Sequence, residues 1–109
     1  MSTVSDNVAY QPGQYVACTY DNEWHIGHII ERSDANNDVE INFMRRSDNK
    51  RMSWPTRRDK CWVPFQHILC SISAPEVEGI SARQYKLSLH DYDRIVRIYE
   101  RSQKNDRLQ

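Results

Sequence analysis

The chain has 109 residues, enough for one domain, and its 15 Lys plus Arg balance its 15 Asp plus Glu, for a formal net charge of zero. No global charge draws it toward nucleic acid or a membrane surface, so any electrostatic role must come from local clustering. No apolar stretch approaches the roughly 20 residues that a membrane span needs, and no membrane association is expected.

Residues 1–12 are polar and aperiodic and read as a flexible arm. Met1-Ser2-Thr3-Val4-Ser5-Asp6-Asn7 lacks the basic start and apolar run of a secretory signal, so secretion is not expected. The cysteines, Cys18, Cys61 and Cys70, are odd in number and match no disulfide-framework spacing. They imply a reducing compartment, nucleus or cytosol, with Cys18 and Cys70 behaving as small apolar groups.

Pro12-Gly13 gives a turn into a first strand over residues 15–20, apolar on both faces. Asp21-Asn22-Glu23 is a turn into a second strand over 24–30, where Trp24, Ile26, His28 and Ile30 share one face and Gly27 and Ile29 the other. A glycine inside a strand marks a bend or a close backbone approach. Residues 33–37 are rich in side chains that satisfy their own backbone, which predicts the next turn. In 39–44, Val39, Ile41 and Phe43 alternate with Glu40, Asn42 and Met44, as in a strand with one buried face. A polar loop over 45–50 leads to Met52-Ser53-Trp54 and a break at Pro55. A fourth strand over 60–63, a proline-started turn over 64–67 and a fifth strand over 68–72 follow.

Residues 75–87 show little periodicity and read as a connector. A helix is predicted over 88–103, with Ser88 as N-cap, Asp91 as the capping-box acid and Leu87 facing Tyr92 as a staple. Leu89, Tyr92, Ile95, Val96 and Tyr99 recur at helical spacing and form its apolar face. Residues 104–109 are expected to fray. The predicted fold class is mainly β: a small five-stranded barrel over residues 13–74, with a C-terminal α-helix capping one open end.

Two clusters could carry chemistry. In residues 45–60, Arg45, Arg46, Lys50, Arg51, Arg57, Arg58 and Lys60 stand against Asp48 and Asp59, seven positive charges against two. Met52, Trp54 and Trp62 interleave with them, a composition suited to a phosphate backbone with a stacked base, or equally to a solvated loop. The second cluster is aromatic. Tyr20, Trp24, His25 and Phe43 lie at strand ends that meet at one rim of a small barrel, and Trp54 can supply a further wall. Converging ring faces attract a methylated ammonium, although barrel aromatics also fill cores.

Metal binding and catalysis find little purchase. Cys61, His67, Cys70 and the His25-x-x-His28 pair match no zinc spacing, and His25 and His28 point to opposite faces of a strand. There is no GxSxG, no HExxH and no phosphate-cradling glycine loop. No cofactor, metal or catalytic residue is expected.

Val16-Ala17-Cys18-Thr19-Tyr20-Asp21-Asn22-Glu23-Trp24-His25-Ile26-Gly27-His28-Ile29 resembles the opening of a Tudor domain, with an aromatic at the end of strand one and an acidic turn. Residues 39–48 are similar to the third strand and following loop of that family, and Val63-Pro64-Phe65-Gln66-His67-Ile68 to the proline-started turn of SH3-like barrels. The likeness covers roughly residues 13–72 and implies the fold. It implies a non-catalytic module that grips a peptide or a methylated, histone-type tail in the nucleus. The family's cage positions fall on Tyr20, His25, Phe43 and Arg46, and Arg46 departs from the aromatic pattern with a charge. Two other functions stay open: DNA contact through the basic loop, and assembly through Tyr92, Val96 and Tyr99 of the helix.

Overall fold

The computed structural model describes residues 10–48, 50–79 and 83–108, so residues 1–9 of the expected arm lie outside the described residues. The strands are β1 Tyr15–Tyr20, β2 Glu23–Ser33, β3 Asp38–Phe43, β4 Arg45–Arg46, β5 Arg51–Ser53, β6 Lys60–Pro64, β7 Ile68–Ile72, β8 Glu76–Glu78 and β9 Gln84–Lys86. A 3-10 turn, Phe65–His67, separates β6 from β7, and one helix, α1, spans Leu89–Leu108. The strands form two antiparallel sheets, one ordered β6-β3-β2-β1-β7 and the other β4-β5-β9-β8. The protein is thus mainly β with a C-terminal helix. Strands β6 and β7 are the two edges of the larger sheet, and among the described residues no pairing between them closes it.

β1 is apolar on both faces because both are covered. Val16 and Cys18 join one core with Ile29, Val39, Ile41, Val63 and Phe65. Ala17 faces a second core with Trp24, Ile26, Met52, Leu87 and Ile95, between the large sheet, the small sheet and the helix. Asp21 and Asn22 turn the chain back at φ of 56° and 63°, a left-handed pair that their short polar side chains tolerate and that hairpins favour. The turn sets Tyr20 opposite Glu23 and Cys18 opposite His25.

Gly27 sits where the side chain of Ile41 on β3 lies against the β2 backbone. A Cβ there would lie 2.1 Å from Ile41 Cγ2 and 3.1 Å from the Asn42 carbonyl oxygen, so a side chain has no room. The strict alternation expected for 24–30 ends at an irregularity between Ile29 and Glu31, which breaks the face that Ile30 was to share with Trp24.

The expected connector at 75–87 is corrected in part: it contains β8 and β9, and β9 pairs with β5 from the basic segment. Arg51 anchors this small sheet, its Nε donating to Glu78 at 2.7 Å and its terminal nitrogen lying 3.1 Å from Asp48. The helix begins as predicted, with Ser88 Oγ accepting the Asp91 N–H at 3.1 Å. Asp91 does not return to the cap. Its buried carboxylate accepts the Ser73 N–H at 3.3 Å and lies 3.6 Å from Arg94, which donates to the Ser71 carbonyl. These bonds fasten the first helical turn to the end of β7. Two helix expectations are corrected: it continues to Leu108 rather than fraying after 103, and Leu89 is 61% exposed rather than part of the packed face. Burial of Leu87 and Ile95 contributes roughly 1.5–3 kcal/mol each to holding the helix down.

Candidate functional site

Three of the expected rim residues meet. Tyr20 ends β1, His25 follows the hairpin turn on β2, and Phe43 ends β3 opposite Gly27. The Tyr20 and His25 ring centroids are 6.2 Å apart with planes at 63°, and those of His25 and Phe43 are 6.0 Å apart at 76°. His25 is therefore flanked by two rings set edge to face, at separations typical of favourable aromatic pairs. The three border a cavity of about 190 Å³ together with Met44, Asp59 and Cys61. A neighbouring chamber of about 320 Å³ shares His25, Phe43, Met44 and Asp59 and adds Glu23, Arg45, Arg46 and Pro55.

Ladder geometry places Asp59 here. Phe43 donates its N–H to the Asp59 carbonyl at 2.8 Å, which fixes the residue before β6 beside the last residue of β3. Asp59 counts only as a minor charge in the basic segment when the sequence is read along the chain. The signal that finds it is the antiparallel register of β3 against the 60–63 strand. Cys61, the next inward residue, forms part of the wall. Burial, and then the charge of Asp59, push its thiol above the ordinary range. Cys18 is pushed up to about 12, chiefly by burial and then by Cys61. Both shifts favour the protonated thiol at neutral pH. Among the described residues, no three His, Cys, Asp or Glu side chains are grouped to hold a metal ion.

The structure sends the other two candidate walls elsewhere. Trp24 is 7% exposed on the opposite face of β2, between the Arg46 guanidinium, 3.9 Å from its ring centroid, and the Tyr92 ring, 6.1 Å away. Trp54 packs against the second core and borders a separate hollow with Ser53, Arg83 and Tyr85. Period-two alternation explains the split: His25 shares a face with Gly27 and Ile29, and Trp24 shares with Ile26 the opposite face, which packs into the second core.

The basic segment divides as well. Arg46 stacks on Trp24 and lies 3.8 Å from Glu23, Lys50 sits 5.5 Å over the Tyr92 ring, and Arg51 is held by Asp48 and Glu78. Arg45, Arg57, Arg58 and Lys60 are exposed, with no ion pair among the described residues. Tyr92, Val96 and Tyr99 of the helix pack against the second core. All three are partly buried there rather than fully exposed.

Comparison with protein-family models, curated proteins and solved structures finds no match to this chain.

Proposed function

We propose that the chain is a non-catalytic protein-interaction module with an SH3/Tudor-like arrangement, which holds a cationic side chain of a peptide partner in the pocket of Tyr20, His25 and Phe43. The strand order β6-β3-β2-β1-β7, with a 3-10 turn between β6 and β7, supports the Tudor-like reading. The observation that carries the function is the flanked imidazole: the rings of Tyr20, His25 and Phe43 border one small cavity that Asp59 also lines.

An ammonium over one aromatic face gains about 0.5–2 kcal/mol, most where water is excluded. Methylation of lysine or arginine suits such a pocket, because it spreads the charge over apolar surface without removing it. Arg46 sits on one of the family's cage positions, and its stack on Trp24 holds its charge on that indole face. A histone-type tail in the nucleus is the partner in which such side chains are common.

Titration with unmodified, dimethylated and trimethylated lysine peptides tests the proposal, read from the ring-proton resonances of His25 and Phe43. Saturable shifts that grow with methylation are expected. Resonances that stay put at millimolar ligand sink it. Trp24 fluorescence is a poor reporter, because that indole faces the helix.

A further inference from the structure

The hydrogen-bond phase of β6 adds to this reading. Phe43 donates to the Asp59 carbonyl at 2.8 Å, and Phe65 donates to the Asn37 carbonyl at 3.0 Å. Between these bonds the register pairs Ile41 with Cys61 and Val39 with Val63. Bonded and non-bonded pairs alternate along an antiparallel ladder. Cys61 and Val63 therefore turn their N–H and C=O groups toward β3, and Lys60, Trp62 and Pro64 turn theirs away. Among the described residues, no strand of the sheet lies on that side. Pro64 lacks an N–H, and as N-cap its carbonyl takes the first bond of the 3-10 turn, so the edge offers two donors and two carbonyls, those of Lys60 and Trp62.

Side chains along the edge follow the pleat. Trp62 is 45% exposed on the outer face, across from Glu40 of β3, whereas Cys61 points inward to the aromatic pocket. Unpaired main-chain groups on a sheet edge template an incoming strand, and pockets beside them read its alternate side chains. Lys60 and Pro64 limit such pairing to a short stretch centred on Trp62.

We infer that the partner binds as an extended segment pairing with Lys60–Pro64, its cationic side chain opposite Cys61 and entering the pocket, and an apolar or aromatic neighbour against Trp62. The inference rests on the cation-binding reading. It commits to a cationic peptide because Asp59 and three aromatic rings line the same cavity as Cys61. In the added strand, the residues on either side of the cation face Lys60 and Trp62 and exchange the main-chain bonds.

Three probes test it: a capped single trimethyllysine, a short peptide with trimethyllysine at its centre, and that peptide N-methylated on the two flanking residues. The short peptide is expected to bind about tenfold or more tighter than the capped residue, and N-methylation to abolish that gain, as loss of two or more hydrogen bonds implies. Trp62→Pro keeps every ladder bond to β3 but loses one edge donor, so it is expected to bind the short peptide about fivefold more weakly than Trp62→Thr. If the capped residue binds as well as both peptides, the pocket stands and strand pairing is overturned. If none of the probes binds, both readings fall. A free chain sedimenting at twice its 13.0 kDa, and split by Trp62→Pro, would show that a second copy occupies the edge and would overturn the inference.

Discussion

The Tyr99 phenol donates to the Asn22 carbonyl at 2.5 Å, joining the helix to the turn between Tyr20 and His25 across 77 residues of sequence. The turn is held by its own left-handed pair and by this tertiary bond. The helix therefore helps to set the position of two pocket walls that it does not itself line.

Tyr99→Phe removes that bond and leaves the ring packed. A stability loss of about 1 kcal/mol is expected, with faster hydrogen exchange confined to the β1–β2 turn and weaker binding at the pocket. Unchanged exchange at the turn would show that the bond positions nothing.

Tyr20 is 61% exposed, so Tyr20→Ala should leave stability within about 0.5 kcal/mol of the parent chain. Its cost should appear in binding, where losing one ring face of a cation site removes about 0.5–1 kcal/mol. Phe43→Ala makes the contrast: Phe43 belongs to the core, and its truncation should cost about 3–5 kcal/mol in urea unfolding. Equal stability losses for the two variants would contradict the assignment of Tyr20 to the ligand and Phe43 to both roles.

Gly27→Ala drives a Cβ into Ile41 Cγ2, 2.1 Å away, with the Asn42 carbonyl close behind. Either β2 and β3 separate or Ile41 leaves its rotamer, at about 1–3 kcal/mol. Chemical denaturation reads the change. A variant as stable as the parent would mean that the two strands can part freely.

Asp48 supplies the pH dependence. Backbone N–H groups of Lys50 and then Arg51 hold its carboxyl below the ordinary value of 3.8, with the Arg51 side chain adding to the effect. A depressed folded-state value means that the stabilisation is present above the unfolded value and lost as pH falls through the folded one. Asp48→Asn should therefore lower the melting temperature at pH 7, and the gap between variant and parent should close below about pH 4. A gap of constant size down to pH 2 would contradict the assignment.

The competing nucleic-acid reading depends on Arg45, Arg57, Arg58 and Lys60, because the other cations of the segment are engaged within the chain. If these four contact phosphates, binding should fall with salt at a log–log slope of roughly −3 to −4 on duplex DNA. Arg57→Ala combined with Arg58→Ala should take about two from that slope. Absence of salt-sensitive binding to duplex and single strands removes the reading.

Much of the large sheet is legible locally. Val39, Ile41 and Phe43 announce a one-sided strand by alternation, Asp21-Asn22 announces a tight hairpin, and Pro64 announces the turn before the fifth strand. Ser88 marks the helix start through a bond made within three residues. β8 and β9 are the counter-case. Each is three residues long with no apolar period, and they exist because β5 offers β9 an edge, a partner about thirty residues upstream.

Strand existence, hairpin turns and the helix cap follow from neighbouring residues alone, since period, φ preference and a capping hydroxyl act over a few positions. Which aromatics converge is another matter. Trp24 and His25 are adjacent, and alternation separates their faces, but on a strand buried on both sides only the surrounding elements decide which face becomes a pocket and which meets a helix. Packing of Tyr92 and Arg46 against Trp24 gave that indole to the interior, and the β3–β6 ladder brought Asp59 to Phe43. Those contacts join segments far apart in the chain, and no local pattern encodes them.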